Sequence, residues 1–251
     1  MLESRDLTIQ FGGHVAVNGV SAKFEPGTLT AIVGPNGAGK TTYFNLLSGQ
    51  LKATSGEVRF MGQPIQHLGA PERTRRGIGR AFQLTNLFPA LSVRENVRLA
   101  VQAQARAGLN LTRIWNRRAD LIERAEHWLT RTGLASRAGD PVSALNHGDQ
   151  RKLEIAVLLA LEPKVLMFDE PTAGMSAADM PAMLDLLQGL KAEGGRTILL
   201  VEHKIDVIRS LADRIIVLHH GTLLEDGKPA EVMASDSVRE AYLGRREKSH
   251  A

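Results

Sequence analysis

The first ninety residues place apolar and polar side chains in short alternating runs. Leu7–Gln10, Val20–Phe24 and Leu29–Val33 are apolar or alternating, and Gly12-Gly13 and Pro26-Gly27 cut between them. Such runs bounded by breakers predict β-strands. Glu57–Phe60 and Ile78–Phe82 are further strand candidates, and a helix is expected to start near Lys40. The pattern changes after Pro89. From Val93 to about Arg131 Ala, Leu, Arg, Gln and Glu recur at helical spacing, with a break expected at Gly108–Asn110. Gly148–Leu161 carries Leu153, Ala156, Val157 and Ala160 on one stripe and predicts another amphipathic helix. Beyond Pro163 strand and helix alternate: Val165–Phe168, helix Ala177–Glu193, Thr197–Val201, helix Ile205–Leu211, then Arg214–Leu218. The tail Ala230–Leu243 reads as two short helices. Wholly apolar strands alternating with helices imply a parallel sheet with helices on its faces.

The chain of 251 residues suits one large domain, or one domain carrying an insertion. Residues 1–88 and 163–251 are expected to form an α/β core, and 89–162 an inserted helical block. With 0 cysteines, disulfides and thiolate metal sites are excluded. Met1–Asp6 shows no basic flank leading into an apolar core, so no signal peptide is expected. The longest apolar runs fall far short of the roughly 20 residues that span a bilayer, so membrane association is expected to go through a partner. A net charge of +4 invites a nucleic-acid reading. The arginines are scattered, however, in groups at Arg73/Arg75/Arg76/Arg80, Arg113/Arg117/Arg118 and Arg245/Arg246, and aromatics make up only 4%. Single-strand binders interleave basic and aromatic side chains. Solvated helix faces are the simpler expectation, with no nucleic-acid partner.

Candidate chemistry begins where the run Thr30–Val33 ends. Gly34-Pro35-Asn36-Gly37-Ala38-Gly39-Lys40-Thr41, followed by Thr42, is G-x-x-x-x-G-K-[ST] between a strand and a helix. Gly34, Gly37 and Gly39 let the backbone curl so that its N–H groups face phosphate oxygens, and the helix N-terminus adds its positive dipole end. Lys40 can reach the β- and γ-phosphates of ATP, and the Thr41 hydroxyl can ligate Mg²⁺. The plainer alternative is a glycine-rich turn before a helix. A second apolar strand, Val165–Phe168, ends in Asp169-Glu170. Open α/β sheets bind ligands at the C-terminal ends of their strands, so Asp169 is expected beside the loop, sharing Mg²⁺ with Thr41. Glu170 is then placed to orient or deprotonate an attacking water. Standing alone, Asp-Glu at a strand end would be a turn signal.

These two motifs, with a helical block between them, resemble Walker A and Walker B of the ATP-binding cassette ATPases. The resemblance implies a P-loop NTPase fold of RecA-like type: a mostly parallel sheet, an antiparallel β subdomain and an inserted helical signature subdomain. It assigns Gln83, in Arg80-Ala81-Phe82-Gln83, to the Q-loop, where it would contact Mg²⁺ or water and sense a membrane partner. His203, after Thr197–Val201, matches the switch histidine that contacts the γ-phosphate. Phe11, before Gly12-Gly13, matches the aromatic that stacks on adenine; a core aromatic before a turn is its alternative.

The wording departs from the family in two places. The signature, usually Leu-Ser-Gly-Gly-Gln, is Leu145-Asn146-His147-Gly148-Asp149-Gln150 here. In the family it opens a helix that faces the γ-phosphate bound by the other subunit. The Asn146 amide replaces a hydroxyl and His147 a glycine, so a bulkier approach is expected. After Pro171-Thr172 the D-loop usually ends in Asp, whereas Ala173-Gly174-Met175 leads to Ser176, a neutral replacement that leaves coupling between two sites in doubt.

Phe11-Gly12-Gly13 with Ala16-Val17-Asn18, Arg80–Gln83 with Leu87-Phe88 and Leu91–Val97, His147–Gln150, Ala173–Ser176 and Val238–Gly244 resemble the Liv-type importer ATPases for branched-chain and other hydrophobic amino acids. That resemblance implies a second ATPase subunit, identical or not, two transmembrane permease subunits gripping a groove near Gln83–Glu95, and indirectly a periplasmic binding protein. It implies a peripheral position on the cytoplasmic face of the plasma membrane. The alternatives are a lipopolysaccharide-type exporter ATPase, a urea or amide importer, a soluble cassette protein acting on nucleic acid, and a regulator that binds without hydrolysing.

Overall fold

A computed structural model describes residues 2–81, 87–105 and 119–243. Gln83, the expected break at Gly108–Asn110, Gly244, and the arginines at 113, 117, 118, 245 and 246 lie outside them.

Two sheets form. The first is antiparallel, in the order β2-β1-β4-β5: β1 (Leu2–Phe11) folds back on β2 (His14–Phe24) across Gly12-Gly13, and β4 (Ser55–Phe60) and β5 (Gln63–Pro64) extend it. The second runs β10-β9-β3-β8-β7-β6. Its strands β6 (Ile78–Ala81), β7 (Val165–Asp169), β8 (Thr197–Val201), β3 (Leu29–Val33) and β9 (Arg214–His219) are parallel, and β10 (Thr222–Gly227) pairs antiparallel at the edge. β3, β7 and β8 are buried at every residue, as strands covered on both faces must be, which is why they read as near-continuous apolar runs broken only by Thr30, Thr197 and the terminal Asp169.

The faces are covered by different layers. Against one face α1 (Lys40–Ser48) and the antiparallel sheet bury Tyr43, Phe44, Leu47, Leu7 and Phe24 with Ile32, Met167 and Leu199. Against the other, α3 (Val93–Gln104), α4 (Ala119–Arg131) and α5 (His147–Ala160) pack Val97, Val101, Leu121, Trp128 and Leu153 into a core continuous with Leu166, Phe168 and Leu200. α6 (Met180–Ala192) and α7 (Ile205–Leu211) join this core, while α8 (Pro229–Ala234) and α9 (Asp236–Leu243) cover Val33, Ile215 and Val217 through Val232 and Val238.

Several expectations are corrected. α6 starts at Met180 rather than Ala177, because residues 177–179 form a turn closed by Asp179 N–H to Ser176 O at 3.2 Å. α2 (Ala70–Arg76) and the edge strand β10 were not foreseen, since neither carries an apolar period. The expectation of solvated faces fails for Arg73. Only 2% exposed, it donates to the carbonyls of Leu46 and Leu47 at 2.7 and 2.8 Å and of Leu68 at 3.0 Å. It thereby satisfies carbonyls at the end of α1 that the helix itself leaves unpaired. Burial pushes its pKa down to about 10. The Arg80 side chain is largely enclosed as well, at 9% exposure.

Candidate functional site

β3 runs into the Gly34–Gly39 loop, which wraps over the C-terminal ends of the parallel strands. Neighbouring backbone dictates its glycines. A Cβ on Gly34 would stand 2.1 Å from the Leu218 carbonyl oxygen, and one on Gly39, at φ +94°, 2.5 Å from that of Ala16. The loop is thus wedged between β9 and β2, and Gly221 N–H secures it by donating to Ala38 O at 3.1 Å. Lys40 folds back over the loop and donates to Gly34 O at 2.7 Å and Pro35 O at 3.0 Å. Burial lowers the pKa of its ammonium, with Glu170 and Asp169 opposing the shift.

A cavity of about 470 Å³ opens over this loop, lined by Phe11, His14, Ala16, Asn36–Thr42, Glu170 and His203. That volume falls within the range of small-molecule and cofactor sites. Phe11 is 49% exposed, an apolar ring presented to the cavity rather than to the core. Gly34 and Pro35 form the root of the loop and do not line the cavity. His14 and Ala16 do, and sequence reasoning missed them; the only cue was that they follow the Gly12-Gly13 turn, three and five residues after Phe11.

Glu170 has φ +50°, a left-handed conformation that costs a non-glycine residue energy and recurs at functional sites. Its N–H donates to Val201 O at 2.9 Å and its Oε1 lies 2.8 Å from His203 Nε2. A carboxylate and an imidazole in contact at a cavity wall are able to orient a water and accept its proton. Behind them stands a clamp that the sequence did not reveal. Buried Glu202 accepts a hydrogen bond from the Thr172 hydroxyl, and its Oε2 accepts from the backbone N–H of His203 at 2.7 Å and of Lys204 at 3.3 Å. The loop after β7 and the loop after β8 are thereby one unit.

Asp169 lies deeper. Its Oδ2 pairs with the Arg80 guanidinium at 2.6 Å, while its Oδ1 is buried without a hydrogen-bond partner. Burial raises the Asp169 pKa, against the opposing effect of Arg80, and burial lowers the pKa of Arg80. An orphaned, buried carboxylate oxygen fits a cation ligand.

The Asn146–Gln150 segment stands apart from this cavity and starts α5. Asn146 Oδ1 caps the helix by accepting from Asp149 N–H at 2.8 Å, and Gln150 Nε2 donates to Leu145 O at 3.0 Å. The Asn146 side-chain oxygen is therefore engaged in capping, which leaves its NH₂ group as the donor. Among the described residues no helix is long and apolar enough to cross a membrane.

Comparison with known proteins agrees with this geometry. A family model described as ABC transporter matches residues 17–173. The chain is 38% identical over 249 residues to the high-affinity branched-chain amino acid transport ATP-binding protein BraF of Pseudomonas aeruginosa, covering 97% of this chain and 98% of that one. A solved ATP-binding cassette of an ABC transporter in its ADP conformation superposes with a TM-score of 0.84 at 28% identity, over 97% of this chain and 98% of that one. A dimeric ATP-binding cassette in a post-hydrolysis state, bound to ADP and Pi, gives 0.78 at 29% identity over 91% and 99%. With the phosphate loop, the two carboxylates and the histidine gathered at one end of the sheet, the chain belongs to the ABC transporter family, as an ATP-binding subunit and an ATPase.

Proposed function

We propose that this ATPase energises the import of branched-chain or other hydrophobic amino acids, as a peripheral subunit on the cytoplasmic face of a membrane. The near full-length likeness to BraF supports this substrate class. On this reading residues 1–88 and 163–251 bind and hydrolyse ATP, and residues 89–162 present the Asn146–Gln150 signature to a second ATPase subunit. Two permease subunits would dock near Gln83–Glu95, and a binding protein would deliver substrate to them.

The contact between Glu170 and His203 at the wall of the phosphate-loop cavity carries the catalytic assignment. Phe11 offers a ring face to adenine, whose stacking reads shape rather than hydrogen-bonding groups. Lys40 exchanges the Gly34 and Pro35 carbonyls for β- and γ-phosphate oxygens, and the N–H groups of Asn36–Thr42 surround them. Thr41, Asp169 and Gln83 would hold a Mg²⁺ ion, which would supply countercharge to those phosphates. Glu170 orients the attacking water and takes its proton, and His203 holds the γ-phosphate. Asn146, His147, Gly148, Asp149 and Gln150 complete the site of the partner, because they stand apart from this chain's own cavity. The dimeric cassette bound to ADP and Pi supports that arrangement.

Glu170→Gln is the direct test. It keeps nucleotide affinity, abolishes turnover and accumulates an ATP-bound dimer; unchanged turnover removes Glu170 as the base. Loss of branched-chain amino acid uptake on deleting the gene checks the cargo, and undiminished uptake with altered export or amide uptake overturns it.

A further inference from the structure

The pair formed by Arg80 and Asp169 is not needed to bind phosphate, yet it is among the most enclosed charged contacts in the molecule. The Arg80 side chain is 9% exposed and that of Asp169 0%. β6 and β7 run parallel, with Arg80 opposite Met167, so Arg80 is a diagonal neighbour of Asp169 on the same face of the sheet. Three further acceptors fix the guanidinium. Its Nη1 donates to Asn45 Oδ1 at 2.6 Å, Ser48 Oγ at 3.0 Å and Gln50 Oε1 at 3.1 Å, at the end of α1 and just beyond it. Its carbon lies 4.9 Å above the Phe44 ring. A guanidinium tied to α1 in this way cannot swing off the carboxylate without breaking several bonds, so its charge is a fixed part of the site.

Fixed charges decide what the site attracts. Near the phosphate loop Lys40 feels the charges of Glu170 and Asp169, and Arg80 pairs directly with Asp169. One Asp169 oxygen is engaged by Arg80, and the other is buried with no partner. Among the described residues no group of three or more His, Asp or Glu stands ready to hold a metal.

We propose that Arg80 is a resident counter-cation for Asp169, holding its carboxylate in place and suppressing divalent-metal binding until a nucleotide brings its own negative charge. Arg80 is a positioning residue: it leaves Asp169 Oδ1 free and makes metal entry conditional on phosphate. Coulomb attraction for a divalent ion falls when a fixed positive charge lies within a few ångströms in a buried site. ATP restores the attraction with several phosphate charges at once. Arg80 stands three residues before Gln83 on the strand leading to the Q-loop.

This inference rests on the proposed role of Asp169 as a metal ligand, and the experiment separates the two. Mn²⁺ is titrated into the full-length chain without nucleotide, and the free-Mn²⁺ EPR signal is followed for wild type, Arg80→Gln, Arg80→Met and Arg80→Lys. Thermal melting first identifies which uncharged variant is folded, and either one suffices. The expected result is at least tenfold tighter Mn²⁺ binding in the uncharged variant, wild-type behaviour in Arg80→Lys, and loss of the gain on adding Asp169→Asn. Equal Mn²⁺ affinity in wild type and the uncharged variant overturns the counter-cation role, as does weaker binding. If Asp169→Asn in the wild-type background leaves the Mg²⁺-dependent increment of ATP affinity unchanged, the ligand role of Asp169 fails instead.

Discussion

Thr172→Val tests whether the loops after β7 and β8 act as one unit. Valine has nearly the shape of threonine, so the substitution removes a hydroxyl without opening a void. Thr172 is 0% exposed and Glu202 4%, so no bulk water replaces the lost donor. A hydrogen bond to a charged acceptor contributes about 1.5–3 kcal/mol net, and leaving a buried carboxylate oxygen unsatisfied puts the cost at the upper part of that range. In a domain of this size each kcal/mol shifts the melting temperature by about 2–4 °C, so a cost of about 2–3 kcal/mol lowers it by roughly 4–12 °C.

The same bond has a catalytic consequence. Glu202 Oε2 fixes the His203 N–H at 2.7 Å, and His203 Nε2 meets Glu170 Oε1 at 2.8 Å. Releasing Glu202 on one side lets the His203 loop drift. Misplacement by about an ångström can lower turnover by two orders of magnitude. ATP turnover is therefore expected to fall at least tenfold while nucleotide affinity, measured by fluorescent-nucleotide titration, stays within about twofold. Thr172→Ser, which keeps the hydroxyl, restores both stability and rate. A melting temperature within about 1 °C of wild type, or a loss of turnover that Thr172→Ser does not recover, refutes the clamp.

Further outcomes follow from other contacts. Gly39→Ala places a Cβ 2.5 Å from Ala16 O and should abolish nucleotide binding in a titration, whereas Gly37→Ala meets nothing within 4 Å and should retain part of it. Asn146→Ala removes the cap on Asp149 N–H and should cost about 1 kcal/mol by denaturant unfolding, while Asn146→Ser, which caps equally well, should be neutral. Burial raises the pKa of Glu154 above its ordinary 4.5, against the opposing hydrogen bond from Arg151. A raised folded-state value stabilises the fold below pH 4.5, and that stability is lost as pH rises through the folded-state pKa. Glu154→Gln removes this dependence, so its melting temperature should gain on wild type as pH is raised from 4.5, and then level off.

What the sequence disclosed was what local pattern and spacing can carry. β3, β7 and β8 were legible because burial on both faces leaves them almost wholly apolar, with only Thr30 and Thr197 as polar residues before Asp169. Thr30–Thr41 was legible because a strand, a phosphate loop and a helix are contiguous there. Arg80 and Arg73 were misread as solvated because their partners, Asp169 and the carbonyls of Leu46 and Leu47, come from distant segments. Glu202 escaped notice for the same reason: its role depends on Thr172, thirty residues away in sequence. An isolated charge in an apolar setting was the available cue at Arg80, whereas Glu202, followed by His203 and Lys204, offered none.

The two departures from the usual family wording turn out to be related by packing. A Cβ on Gly174, at φ +71°, would lie 3.2 Å from His147 Cε1, so the bulk at 147 is matched by its absence at 174. The reverse holds one residue on: a Cβ on Gly148 would lie 2.9 Å from Asp179 Cγ. Asp179 is held in turn by Ser176, whose hydroxyl donates to Oδ2 at 2.7 Å and accepts from the Asp179 N–H at 3.2 Å. Ser176 is thus more than a neutral stand-in for an acid, because it fixes the aspartate that packs on the start of α5. Residues 146–148 and 174–179 form one interlocked surface, and a change on either side alone breaks the fit. A glycine at 147 would leave Gly174 without this contact, and a Cβ added at 174 would press on the His147 ring. The unusual signature and the unusual D-loop thus lie on packed surfaces, His147 against Gly174 and the Ser176-held Asp179 against Gly148.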